Sequence, residues 1–119
     1  MSTNAAVCLL LEDEPLIAMD LELTLGNAGV DVTTVMSCAQ ASDWLAKCRP
    51  DIVVVDIELR DGRSDKVVDG LVEHNIPFIV HSGDHPSMHI DTPFAHGRWV
   101  NKPAAPDELV EAVRSLLSH

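Results

Sequence analysis

"LLLEDEP", residues 9–15, runs three leucines into Glu12, Asp13 and Glu14 and then into Pro15. An apolar run that stops abruptly in charge is the pattern of a strand buried on both faces of a parallel sheet, with its polar continuation at the strand's mouth. "VCLLL" (7–11) therefore reads as a first strand, and Pro15 suits the first turn of a helix. The three adjacent acids need a separate reason. Two unpaired carboxylates about 4 Å apart at an effective dielectric near 20 repel by about 4 kcal/mol, comparable to much of a small domain's stability. Crowding of this kind points to a bound cation.

Working outward, Ile17, Leu21, Leu25 and Ala28 recur at helical spacing before Gly29 supplies a stop. "VDVTTV" (30–35) is a second strand, and Ser37 with Gln40 reads as a capping box ahead of Ala41, Leu45 and Cys48, closing near Pro50. "IVVVDI" (52–57) is the most apolar strand and carries Asp56 near its end. "ELRDGRS" (58–64) reads as loop, Val67, Val68, Leu71 and Val72 as a helix stripe ending near His74 and Asn75, and "PFIVH" (77–81) as a fourth strand. "RWV" (98–100) is a weak fifth strand, and Pro106 opens a last helix with Leu109, Val113 and Leu116 on one face. Between them, Pro86 and Pro93 break up residues 83–97, so any fourth helix is short or irregular. Strands alternating with helices predict a doubly wound α/β fold with a parallel sheet and right-handed crossovers.

Composition narrows the function. At 119 residues the chain is sized for one domain, expected to span 1–119. Its net charge of −11 argues against nucleic acid or an anionic membrane as a partner and leaves proteins. Cys8, Cys38 and Cys48 are odd in number, have no zinc spacing and read as small apolar fillers, which fits a reducing, cytoplasmic setting. No stretch approaches the roughly 20 apolar residues of a membrane span, and no signal peptide is evident.

Ligands of such sheets bind beyond the C-terminal strand edge, where strand order reverses. That edge collects Glu12 and Asp13 after the first strand, Asp56 at the third, Ser82 after the fourth and Lys102 after the fifth. An all-oxygen set of carboxylates suits a hard divalent ion, Mg²⁺ or Mn²⁺. A metal beside a hydroxyl and an ammonium matches the needs of phosphoryl transfer, which is mostly positioning and charge neutralisation. Asp56, aimed by the most apolar strand, is the candidate nucleophile, giving an aspartyl phosphate. Lys102 would neutralise one phosphoryl oxygen and Ser82 would hydrogen-bond another.

On these residues, "ED" at 12 and 13, "D" at 56, "S" at 82 and "K" within "NKP" (101–103), the whole chain resembles the receiver domain of two-component response regulators. The resemblance implies a flavodoxin-like sheet of order 2-1-3-4-5 and transfer of a phosphoryl group from a histidine kinase's phosphohistidine to Asp56. It implies Mg²⁺ bound by Asp13, Asp56, the backbone carbonyl of Glu58 and, through water, Glu12. It also implies a cis peptide before Pro103 and an aromatic switch residue at Trp99, acting with Ser82. "EDEPLIAMDLE" (12–22), "DGRS" (61–64) and "IPF" (76–78) resemble most a subgroup common in alphaproteobacteria and associated with HWE-type kinases. "PFIVHSGD" (77–84) departs from that subgroup's usual "PFxFATG", with His81 for alanine and Ser82 for threonine.

The leading expectation is a stand-alone response regulator, a phosphoacceptor that relays signal by phosphorylation-dependent binding to a downstream protein or phosphotransferase, or drains a kinase as a phosphate sink. It would be a monomer or weak dimer and no enzyme beyond its own phosphorylation and dephosphorylation. Two alternatives stand beside it. A haloacid-dehalogenase-like phosphohydrolase uses a similar set of groups but places its acid pair late, and an unphosphorylated interaction module would not need every site position filled. His81, His85 and His89 share a helical spacing of four, yet Pro86 interrupts it, so solvated loop histidines are expected rather than a zinc site. Trp99 reads equally as a packed rim aromatic, Trp44 as partial core, Asp84 as a loop acid, and Glu14 as a first-turn acid facing the helix dipole.

Overall fold

The computed structural model describes residues 5–118. In chain order its elements begin with β1 (Val7–Leu11), α1 (Pro15–Asn27), β2 (Asp31–Val35), α2 (Cys38–Leu45) and β3 (Ile52–Val55). A two-residue hairpin, β4 (Glu58–Leu59) and β5 (Gly62–Arg63), leads into α3 (Asp65–Glu73); β6 (Phe78–Ser82), β7 (Arg98–Asn101) and α4 (Pro106–Leu117) complete the fold. The main sheet has five strands, all pairing in parallel in the order β2-β1-β3-β6-β7, which is 2-1-3-4-5 counted within that sheet.

Alternation along each strand builds a core on both faces, as expected where side chains point to opposite sides with period two. Leu9, Leu11, Val53, Val55, Phe78 and Val80 pack on one face with Ala41 of α2 and Val67, Val68 and Leu71 of α3. Cys8, Leu10, Ile52, Val54, Ile79 and Val100 pack on the other with Leu21 and Leu25 of α1 and Leu109 and Val113 of α4. Each such buried aliphatic side chain contributes about 1.5–3 kcal/mol, so the central strands are the most firmly anchored part of the molecule. β1 and β3 are neighbours at the reversal of strand order, and their C-terminal ends carry Glu12 and Asp56.

Several boundaries differ from the sequence reading, each for a local reason. β3 ends at Val55 rather than at residue 57: Asp56 N–H still donates to the Leu11 carbonyl (3.2 Å), but the Asp56 and Ile57 carbonyls accept from the Ser64 hydroxyl at 2.7 and 3.1 Å and leave the ladder. β6 runs one residue further than expected, to Ser82, whose carbonyl accepts from Lys102 N–H at 2.9 Å. Residues 58–64 hold the small hairpin instead of plain loop, turned at Gly62, whose φ of 129° favours glycine. Asp61, in that turn, accepts from the backbone N–H groups of Cys38 (2.8 Å) and Ala39 (3.1 Å) at the start of α2, and these bonds lower its pKa.

The capping box is displaced. Ser37 Oγ accepts from Gln40 N–H at 3.1 Å, but the Gln40 side chain accepts from Met36 N–H (2.7 Å), one residue earlier than a regular box. Glu14 occupies the N-cap position of α1 without a side-chain cap, not the first turn. Residues 83–97 form no α-helix but two 3₁₀ turns, Pro86–His89 and Pro93–His96, each opened by a proline with no N–H to donate. Gly97 follows, where a Cβ would come within 2.3 Å of the Phe78 ring, so the close approach of the incoming β7 segment depends on glycine. Trp44 packs partly buried against the core, and Cys8 is fully buried, but Cys48 is exposed and fills nothing. Among the described residues no helix is long and apolar enough to cross a membrane.

Candidate functional site

The acid pair after β1 and the acid after β3 converge. Glu12, Asp13 and Asp56 each offer a carboxylate oxygen within 4.8 Å of the others. Glu12 is 1% exposed, and both its oxygens are engaged: Oε2 accepts from Glu14 N–H (3.1 Å) and Oε1 from the Lys102 ammonium (3.0 Å). Lys102 also donates to Asp56 Oδ2 at 2.9 Å. It reaches the cluster from the end of β7 through a backbone whose Lys102–Pro103 peptide is cis. Burial works against the lysine's charge, but its hydrogen bonds to Asp56 and Glu12 outweigh that and raise its pKa above the ordinary lysine value. One ammonium against three carboxylates leaves the cluster net negative, and its donor atoms are all hard oxygens, so these residues fit a divalent cation.

Ser82 lies beside Lys102, whose backbone N–H its carbonyl accepts at 2.9 Å, and Glu58 follows Asp56 closely in the chain. Ser82, at the end of β6 and 5% exposed, accepts from Asp84 N–H at 3.0 Å. Glu58 opens β4 two residues after Asp56. Trp99, on β7, is half-buried against the core, with its indole N–H donating to the Asp84 carbonyl at 3.1 Å.

The histidines depart from the sequence reading. Only His85 is a solvated loop residue; His81 and His89 are each 5% exposed. His81 is buried because it belongs to β6, and neither ring nitrogen has a hydrogen-bond partner among the described residues. Burial first, then the nearby Lys102 charge, push its pKa down to about 4, against a smaller opposing pull from Asp56, so the ring is neutral at pH 7. It lines a cavity of about 560 Å³ between α1 and the segment leading into α4. His89 is buried by stacking on Trp99, with ring centroids 5.7 Å apart. Among the described residues the three do not form a metal-ligand cluster; Glu12, Asp13 and Asp56 do.

With this geometry in view, comparison with known proteins is decisive. The family model of the response regulator receiver domain matches residues 8–114. The chain belongs to that family. Its receiver domain is of the PhyR-like alphaproteobacterial type: it is 39% identical over 79 residues to the phyllosphere-induced regulator PhyR of Methylorubrum extorquens. That stretch covers 63% of this chain and 30% of the relative, so the chain spans less than a third of that protein. A response regulator receiver protein from Sinorhizobium medicae superposes with a TM-score of 0.88 at 30% identity, covering 98% of both chains. The receiver domain of PhyR from Erythrobacter litoralis superposes with a TM-score of 0.82 at 30% identity, covering 97% of this chain and 92% of that one.

Two features of this receiver domain escaped the sequence reading. Ser64 is fully buried, and its hydroxyl braces the successive backbone carbonyls of Asp56 and Ile57; "DGRS" held the residue but gave no sign of its aim. Asp84 and His89, both set down as loop residues, are joined through Nε2 and Oδ2 at 2.9 Å. The spacing of five between them carries no regular period, so only the 3₁₀ turn brings them together.

Proposed function

We propose that the chain accepts a phosphoryl group on Asp56 from the phosphohistidine of a histidine kinase, in a Mg²⁺- or Mn²⁺-dependent reaction, and signals through the resulting change in its protein contacts. The observation that carries this reading is the convergence of three carboxylates and one ammonium at the sheet's switch point, with Lys102 2.9 Å from Asp56. Asp13, Asp56, the Glu58 carbonyl and, through water, Glu12 would hold the ion, which when bound supplies charge neutralisation at a phosphoryl oxygen.

The chain's own residues account for the rest. A carboxylate oxygen of Asp56 attacks phosphorus; the new P–O bond forms as the P–N bond to the kinase imidazole breaks, and the imidazole leaves with its electron pair. Lys102 steadies the charge on one phosphoryl oxygen, and the Ser82 hydroxyl donates to another. Ser64 keeps the Asp56 backbone in place while this happens.

On this reading residues 1–119 are a single phosphoacceptor domain, not an enzyme acting on free substrates, working in the cytoplasm as a monomer or weak dimer. A net charge of −11 supports protein partners rather than nucleic acid or membrane lipid. Leu16, Met19 and Leu23 are exposed at helical spacing on α1, the helix that follows the acid pair, an apolar stripe suited to a kinase or a downstream phosphotransferase. Mixing a histidine-labelled kinase of the HWE type with the domain tests the proposal. Label should pass to the wild type and not to Asp56→Asn; label that stays on the kinase in both, across a panel of such kinases, would refute it.

A further inference from the structure

We infer that Asp84 and His89 form a latch that holds Ser82 and Trp99 in the resting arrangement, and that phosphorylation at Asp56 works against this latch. The inference rests on the phosphoacceptor reading of Asp56 and concerns what opposes the switch.

Among the described residues Asp84 makes three polar contacts, each to a different element. Its N–H donates to Ser82 Oγ at 3.0 Å, at the end of β6. Its carbonyl accepts from Trp99 Nε1 on β7 at 3.1 Å. Its carboxylate oxygen Oδ2 lies 2.9 Å from His89 Nε2 on the first 3₁₀ turn. His89 then closes the ring: its imidazole stacks on the Trp99 indole at 27° between planes and meets the fully buried Phe94 edge-on, centroids 5.8 Å apart.

The His89 side chain is 6% exposed, and its Nδ1 has no hydrogen-bond partner among the described residues. Its polar tie is therefore to Asp84, with Nε2–H donating to the carboxylate. Lone polar atoms are costly to bury, so this ring stays inside only while the Asp84 bond and the Trp99 stack hold it.

The consequence for the switch is direct. A Ser82 hydroxyl that swings toward Asp56 draws away from the Asp84 N–H, and Asp84 is fastened to both Trp99 and His89. Trp99 cannot leave its place without breaking its bond to the Asp84 carbonyl and its stack on His89. Opening the latch releases His89 together with its exposed neighbours Met88 and Ile90. The segment that changes for a partner is then the turn at 86–89, not the tryptophan alone. Asp84 and His89 act here as positioning residues, through Ser82 and Trp99.

A latch that favours the resting state lowers the apparent affinity for any ligand of the active state. Beryllofluoride with Mg²⁺, a non-covalent phosphoryl mimic, is titrated into the chain and occupancy is read from the bound fluorine NMR signal, which does not depend on tryptophan. His89→Ala should bind at about three- to tenfold lower concentration than wild type. His89→Gln, which keeps a donor to Asp84, should return toward the wild-type midpoint, and Asp84→Ala with His89→Ala should be no tighter than the tighter single variant. An unchanged or weaker midpoint in His89→Ala overturns the latch. Should that variant fail to fold, Asp84→Asn, which keeps both backbone bonds, must show tighter binding for the latch to stand. No bound signal in the wild type would remove the phosphoacceptor reading and the latch together, whereas a binding wild type with unshifted variants removes the latch alone.

Discussion

The ammonium of Lys102 stands 2.9 Å from Oδ2 of Asp56, so the proposed nucleophile is paired in the resting chain with the cation that would later face its phosphoryl group. The same nitrogen is 3.0 Å from buried Glu12. Lysine therefore relieves part of the repulsion among the acids, and a divalent ion would relieve what remains.

Removing that ammonium leaves Glu12 buried without its charged partner. Lys102→Met should cost about 2 kcal/mol of stability, below the range for fully buried pairs because the lysine side chain is partly exposed. Urea denaturation with and without millimolar Mg²⁺ checks this. The deficit should shrink when Mg²⁺ is present; a deficit indifferent to the ion would mean that Lys102 and the ion do not share the same carboxylates.

Metal binding should itself stabilise the wild type. At tenfold over its dissociation constant, Mg²⁺ adds about 1.4 kcal/mol, seen as a rise in Tm. Asp13→Asn should abolish most of that rise. Equal rises in both proteins would place the ion elsewhere.

His81 makes stability depend on pH in a defined window. Its folded pKa of about 4 lies below the ordinary histidine value of 6.5, so between these values the unfolded chain binds more protons than the folded one. Its contribution is complete above pH 6.5 and is lost as the pH falls toward 4, by on the order of 3 kcal/mol. His81→Leu should flatten the difference curve across that window, measured by denaturation at stepped pH. Parallel curves for variant and wild type would show that the ring is solvated.

Gly97 is set against the Phe78 ring, 2.3 Å from where a Cβ would sit. Gly97→Ala should destabilise by about 1–3 kcal/mol through overpacking, and Phe78→Leu in the same chain should recover part of the loss. Additive losses in the double variant would contradict the contact.

The sheet was legible chiefly because its central strands β1 and β3 are short apolar runs that end in carboxylates, and both core faces follow from alternation along the strands. The five residues singled out at strand ends gather at one edge because a parallel sheet leaves them no other place. What stayed hidden depends on groups that no period announces. The bonds from Ser64 to the Asp56 and Ile57 carbonyls depend on the β4–β5 hairpin folding back. His81 and His89 are buried by strand register and by stacking on Trp99, neither of which shows in a residue type usually found near water. Asp84 was an ordinary loop acid until the 3₁₀ turn brought His89 to it.

The central claim is that Asp56 is the residue phosphorylated and that a divalent ion is required. Intact-mass spectrometry of the chain after incubation with acetyl phosphate, with Mg²⁺ and with excess chelator, tests both at once. The account predicts one alkali-labile phosphoryl adduct that maps to Asp56, is absent in Asp56→Asn and disappears with chelator. An adduct at another residue, an adduct indifferent to the chelator, or none under any condition would contradict it.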